Sequence, residues 1–155
     1  MNHRIQGMIA GAMLAAACAN GQAKVNKATA QRVFDDILNR EHYELFAELY
    51  QPDFVKHVDL RNNTLAQEIE AAKGMRAASS DLVMTVDEMI AEGDKVAVRY
   101  TGRGTNTGPF GGMPATGKKM AITGMTIYRF SGGKIAEEWV TYNMLEILRQ
   151  LGYAP

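Results

Sequence analysis

The chain has a single cysteine, Cys18, among its 155 residues. One thiol closes no internal disulfide, and thiol-based zinc and redox motifs need at least two, so the fold must stand on burial alone. Charge of one sign is also missing, because 17 Lys+Arg are balanced by 17 Asp+Glu. With no basic field to attract phosphate backbones or anionic lipid, nucleic acid is not an expected partner. No apolar run approaches the ~20 residues of a spanning helix, so no stable membrane span is expected. There is no Gly-x-Ser-x-Gly elbow, no glycine loop with a phosphate-binding lysine, and no His or Cys pair at zinc spacing. Hydrolase, nucleotide-binding and metal readings therefore rank low, and no cofactor is expected.

What is present is the composition of an ordinary globular protein, 46% hydrophobic and 22% charged, at a length that suits one domain. The first seven residues carry one Arg and no acid, and Met8 to Ala19 is a short apolar run of small residues that meets polar Asn20-Gly21-Gln22. That is the layout of an export signal. Residues 1–19 are expected to be a signal peptide, which makes the protein periplasmic or secreted. Ala17 and Ala19 suit cleavage after Ala19, and Ala15-Ala16-Ala17-Cys18 offers the alternative of lipoprotein-type cleavage with a lipid anchor; an uncleaved N-terminal helix is the competing reading. Residues 20–27 read as a linker and 28–152 as the folded domain.

From residue 28, Ala30, Val33, Phe34, Ile37 and Leu38 follow the spacing of an amphipathic helix. Leu45, Phe46, Leu49 and Tyr50 repeat it until Pro52 stops it. Residues 54–58 read as a short extended segment, and Thr64 with Gln67 forms a capping box that starts a helix running through Ala78. The pattern then turns to β-branched runs. Strands are expected over 83–91 and 95–105 around Glu92-Gly93-Asp94, and over 119–130 and 134–142 around Ser131-Gly132-Gly133. The glycine- and proline-rich 107–117 joins the two hairpins as a long loop. Asn143 and Gly152 bracket a last short helix. Three helices followed by a four-stranded antiparallel meander predict an α+β fold whose helices cover one face of a curved sheet and enclose a cone-like pocket.

The stretch from Val96 through Arg99 and Gly104-Thr105-Asn106 to Gly117, then Gly124-Met-Thr-Ile-Tyr-Arg-Phe130, Gly133-Lys-Ile-Ala-Glu-Glu138-Trp139 and Leu148-Arg-Gln-Leu-Gly152, carries a specific pattern. Together with the earlier Leu49-Tyr50-x-Pro52-Asp53-Phe54-Val55-x-His57, it closely resembles the SnoaL-like polyketide and ester cyclases of the NTF2-like superfamily, over about residues 28–152. The resemblance implies an NTF2-like cone, a homodimer formed through the sheet, and a hydrophobic pocket that closes a polyketide ring by intramolecular aldol condensation without metal or cofactor. It also implies an acid/base Asp four residues after the Trp, where this chain has Asn143, and a Gly-Thr-His motif, which here reads Gly104-Thr105-Asn106. An amide cannot take the proton as a carboxylate does.

Each candidate side chain has a functional and a structural reading. His57 is the replacement base, or an imidazole satisfied by backbone partners. Asn143 polarises a substrate carbonyl, or caps the last helix through Glu146. Arg99 anchors an anionic group, or pairs with a carboxylate. Trp139 and Tyr100 form a stacking wall and a hydrogen-bond donor, or plain core. Asn106 is a second neutral amide at the pocket. Two functions follow. The first is an exported enzyme of the cyclase type acting on a small hydrophobic carbonyl ligand, with His57 and Asn143 as catalytic residues and Arg99, Asn106, Trp139 and Tyr100 binding the substrate. The alternative is a non-catalytic exported small-molecule-binding protein of the same fold, or, at a further remove, an interaction module using the exposed sheet face.

Overall fold

The computed structural model describes residues 20–155. The expected signal peptide, with Cys18, lies outside the described residues. Residues 20–32 form an α-helix that continues into a π-helical stretch, Val33–Leu38, together α1. The segment 20–27, expected as a linker, is thus the first two turns of this helix. Buried Asn26 and Ala30 share its inward face. In this π stretch Val33, Phe34 and Ile37 all enter the core.

Helix α2, Leu45–Leu49, ends before Pro52, and the chain is already extended at Tyr50. Strand β1, Tyr50–Val58, is therefore longer than the 54–58 expected. A strand that the sequence reading lacks, β2 at Arg61–Thr64, pairs with it. Its residues, Arg-Asn-Asn-Thr, have no apolar alternation to announce it; pairing with β1 fixes them. Helix α3, Leu65–Ala78, starts at the expected capping box, in which the Thr64 hydroxyl accepts from the Gln67 N–H and the Gln67 side chain accepts from Thr64 N–H at 2.8 Å.

The two long hairpins follow as β3 (Val83–Glu92), β4 (Lys95–Thr105), β5 (Lys119–Ser131) and β6 (Lys134–Tyr142). Gly93 takes φ +58 in the first tight turn, a conformation that suits glycine. Helix α4, Met144–Leu151, closes the chain with Asn143 as its N-cap and Gly152 left-handed at its end.

The six strands form one curved, unclosed sheet in the order β2-β1-β6-β5-β4-β3. Pairing is antiparallel except for β1 against β6, which run parallel. Shifts of register at 50/55, 86/88 and 129/130 bend the strands. Helix α3 lies against β1 and β2, α4 against β5, and the π stretch of α1 against β3. The main core fills the inner face, where Phe34, Tyr50, Phe54, Val96, Val98, Tyr128 and Ile135 are nearly inaccessible. Among the described residues no helix is long and apolar enough to cross a membrane.

Candidate functional site

Strand alternation decides what faces inward. On β4, Val96, Val98 and Tyr100 are buried while Ala97, Arg99 and Arg103 are exposed. In register across the sheet, Val96 pairs with Tyr128, Tyr128 with Glu138, and Glu138 with Lys56. One position further along, Ala97 pairs with Ile127, Ile127 with Trp139, and Trp139 with His57. The first row faces the helices and the second faces away from them.

Between the inner face and helices α1 and α3 lies a cavity of about 380 Å³, within the size range of small-molecule sites. Phe34, Phe46, Met75, Met84, Met120 and Ile147 make its walls apolar. The expected hollow is present, but its polar groups are not the expected ones. They are an ammonium, two carboxylates and tyrosine hydroxyls. Lys56 Nζ donates to Glu68 Oε1 at 2.9 Å and stands 3.6 Å from Glu138 Oε1. Thr126 Oγ1 donates to the same Glu138 oxygen at 2.9 Å. Glu68 and Glu138 are only 8% and 4% exposed, and the Oε2 atom of each is buried without a hydrogen-bond partner among the described residues.

Burial and opposed charge tune these groups. Burial, reinforced by the nearby Glu138 charge, pushes the Glu68 carboxyl up to about 7, against the pull of Lys56. Burial also works against the Lys56 charge, but Glu138 and Glu68 outweigh it and hold the ammonium well above its ordinary value. Desolvation raises the phenols of Tyr50 and Tyr128 far up and that of Tyr100 to about 12. All three are therefore neutral hydroxyls at physiological pH. The arrangement can hold a proton on a buried carboxyl beside a fixed positive charge in dry, apolar surroundings.

Of the six side chains singled out from the sequence, Tyr100 alone lines this cavity. His57 lies on the outer face, stacked on Trp139 with ring centres 5.1 Å apart, its Nδ1 2.9 Å from Asn62 Oδ1 and its Nε2 3.5 Å from Glu137 Oε1. Arg129, 2.5 Å from Glu137, holds that carboxyl below its usual range, with His57 adding to the effect. Lys95 Nζ sits over the Trp139 ring, 5.6 Å from its centre. Arg99 pairs on the same face with Asp87 at 3.0 Å and with Glu88 at 3.8 Å.

Asn106 is fully buried but ties down the long loop. It accepts from the Thr116 N–H and hydroxyl at 2.9 and 3.0 Å and donates to the Gly108 and Ala78 carbonyls. Held in this way, the loop places Pro109, Phe110 and Gly111 against the cavity. Asn143 is exposed and accepts from the Glu146 N–H at 3.0 Å as a helix cap. Five of the six therefore stand away from the cavity, because strand parity, a loop tie or a cap claims each of them.

Lys56, Glu68 and Glu138 are the groups that sequence reasoning passed over, and each carried a signal. Lys56 shares strand parity with core residue Phe54. Glu68 stands one turn before Ala72 and two before Met75, on the inward stripe of α3. Glu138 alternates with Val140 and Tyr142, which line the cavity with it.

Gly124 gives Tyr100 its room. A Cβ there would lie 2.6 Å from Tyr100 Cζ and 2.8 Å from the Thr141 carbonyl oxygen. Gly124→Ala is expected to displace the Tyr100 ring and cost ~1–3 kcal/mol of stability. Chemical denaturation of the variant against the parent checks this, and an unchanged midpoint would mean the ring has an alternative seat.

The sequence pattern of the SnoaL-like polyketide cyclases matches residues 28–151. Among solved structures, AclR from Streptomyces galilaeus, a candidate hydroxylase, is 28% identical with a TM-score of 0.79, over 86% of this chain and 88% of that one. Wild-type IdmH from Streptomyces antibioticus, a candidate polyketide cyclase, is 27% identical with a TM-score of 0.72, over 82% of this chain and 98% of that one. A SnoaL-like protein from Jannaschia sp. CCS1 shares the fold at 21% identity and TM-score 0.78, over 86% and 95% of the two chains. No curated protein matches.

Proposed function

We propose, from the premise that this chain belongs to the SnoaL-like polyketide cyclase family and has its NTF2-like fold, that its cavity moves a proton on a small, mostly apolar carbonyl compound, with Glu68 as the group that takes it. One observation carries this reading: a carboxyl only 8% exposed and pushed up to about 7 stands 2.9 Å from a buried ammonium in an apolar hollow. A base is most effective when its pKa lies near the working pH, and positioned proton transfer typically contributes ~10²- to 10⁴-fold.

The step conserves protons. Glu68, ionised, takes the proton from the carbon between two carbonyls, and the electron pair left behind becomes an enolate. Lys56 stays an ammonium between its two carboxylates, so it serves as a fixed positive charge for the enolate oxygen rather than as an amine nucleophile. When the enolate carbon bonds to a second carbonyl of the same molecule, that oxygen becomes an alkoxide and recovers the proton from Glu68. No oxidant or other co-reactant is needed. The unpartnered Glu68 oxygen is consistent with a carboxyl that spends part of its time protonated.

The test is deuterium exchange. An apolar β-keto ester in D₂O is expected to exchange its central carbon proton faster with the protein than in buffer. The rate should rise with pH and level off above about 7, because the ionised carboxylate is the active form. A binding-only protein is the second reading, favoured by the amides Asn106 and Asn143 at the positions where the family resemblance implies His and Asp. An ester that binds without any gain in exchange would establish it.

A further inference from the structure

The cavity is unbalanced in charge. Among the described residues that line it, Lys56 is the one cation, and both Glu68 and Glu138 face it. Each carboxylate leaves one oxygen unpartnered. With Glu68 ionised, the cluster thus carries one more negative charge than its ammonium balances, and more acceptor capacity than its own donors satisfy. On the neighbouring strands, Arg129, Arg99 and Lys95 are engaged on the other side of the sheet, with Arg129 on Glu137, Arg99 on Asp87 and Lys95 over Trp139.

Around the cluster stand the rings of Phe34, Phe46, Tyr50, Tyr100, Tyr128 and Phe110. Aromatic faces carry the negative part of the ring quadrupole and attract cations, most strongly where water is excluded. Phe34 and Tyr100 lie with ring centres 5.5 Å apart, and Phe46 and Tyr50 5.0 Å apart, so four of these rings stand in two packed pairs. An anionic ligand would meet two carboxylates and an ammonium already held by both. A cation would meet an uncompensated carboxylate and π faces.

We propose that the ligand of this cavity carries a positive charge, as an amine or quaternary ammonium group on an otherwise apolar carbonyl skeleton, and that carboxylates are turned away. The inference names the substrate class of the site and rests on the reading of the cavity as the ligand site given above. Glu138 and Glu68 are the specificity-determining residues.

The test uses a matched set of probes and the full chain, read by isothermal titration. Benzyltrimethylammonium and neopentylbenzene have the same shape and differ in charge, and phenylacetate supplies the anion. The ammonium probe is expected to bind ~10-fold or more tightly than its uncharged isostere, and phenylacetate to bind more weakly than either. Glu138→Gln is expected to erase most of that preference, with Glu68→Gln as the second variant should the first fold poorly. An isostere that binds as tightly as the ammonium, a phenylacetate that binds as well, or no binding by any of the three overturns the proposal. Carbon-proton exchange is a separate measurement. Exchange with a neutral ester but no ammonium preference removes this inference alone, whereas ammonium preference without exchange removes the catalytic reading alone.

Discussion

Replacing Glu68 with glutamine is expected to slow carbon-proton exchange ~10²- to 10⁴-fold, the usual contribution of a positioned base. Glutamine keeps the shape and can still accept from Lys56 through its carbonyl oxygen, but it cannot take up a proton. Affinity for an apolar ester should therefore change little, and the loss should fall on turnover rather than on binding. The same variant has a stability signature of fixed sign. The Glu68 carboxyl is raised from 4.5 to about 7, so the folded chain holds this proton more tightly than the unfolded one. Stability from this group is full below about pH 4.5 and is lost as pH rises through about 7. Urea unfolding at pH 5 and pH 8 should show that decline in the parent and a flatter profile in Glu68→Gln. An exchange rate within tenfold of the parent would take Glu68 out of the chemistry.

Replacing Lys56 with methionine is expected to cost ~3–5 kcal/mol at neutral pH, because it strands buried carboxylates that no other cation among the described cavity residues neutralises. Against a typical total of ~5–15 kcal/mol, that is enough to leave part of the chain unfolded. The lesion should ease on acidification, as Glu68, whose carboxyl is already raised to about 7, takes up a proton and ceases to be charged. Adding Glu68→Gln and Glu138→Gln to Lys56→Met should recover most of the loss, since the three side chains then need no ionic partner. Urea midpoints at pH 7 and pH 5 for the single and triple variants check both statements. A single-variant loss below ~1 kcal/mol would mean that water reaches the cluster and screens it.

How much of this could be read beforehand depended on whether a feature is local. The capping box at Thr64 and Gln67, the turns at Gly93 and at Gly132-Gly133, and the cap and stop at Asn143 and Gly152 are set by neighbours within a few residues, and they form as read. Strand β2 is set by its pairing with β1, so composition did not reveal it. The site was harder for another reason. Chemical type drew attention to His57, Arg99 and Trp139, whereas access to the cavity depends on strand parity. Lys56 and His57 are adjacent, as are Glu138 and Trp139, and a shift of one residue exchanges the inner face for the outer. A lysine or glutamate on the apolar face of its own strand or helix was the more telling sign, since long charged side chains are rarely buried unless they are paired.

The parallel joining of β1 to β6 brings together residues far apart in the chain. Lys56 and Glu68 are twelve residues apart and can meet as soon as β1 and α3 exist, with a short loop to close. Glu138 comes with β6, the second arm of the last hairpin, and contacts of such long sequence separation are the slow ones to form. Until then the lysine has one counter-ion and an open side to water. A chain stopped before residue 134 would lack β6, and with it both the parallel partner of β1 and the second carboxylate beside Lys56.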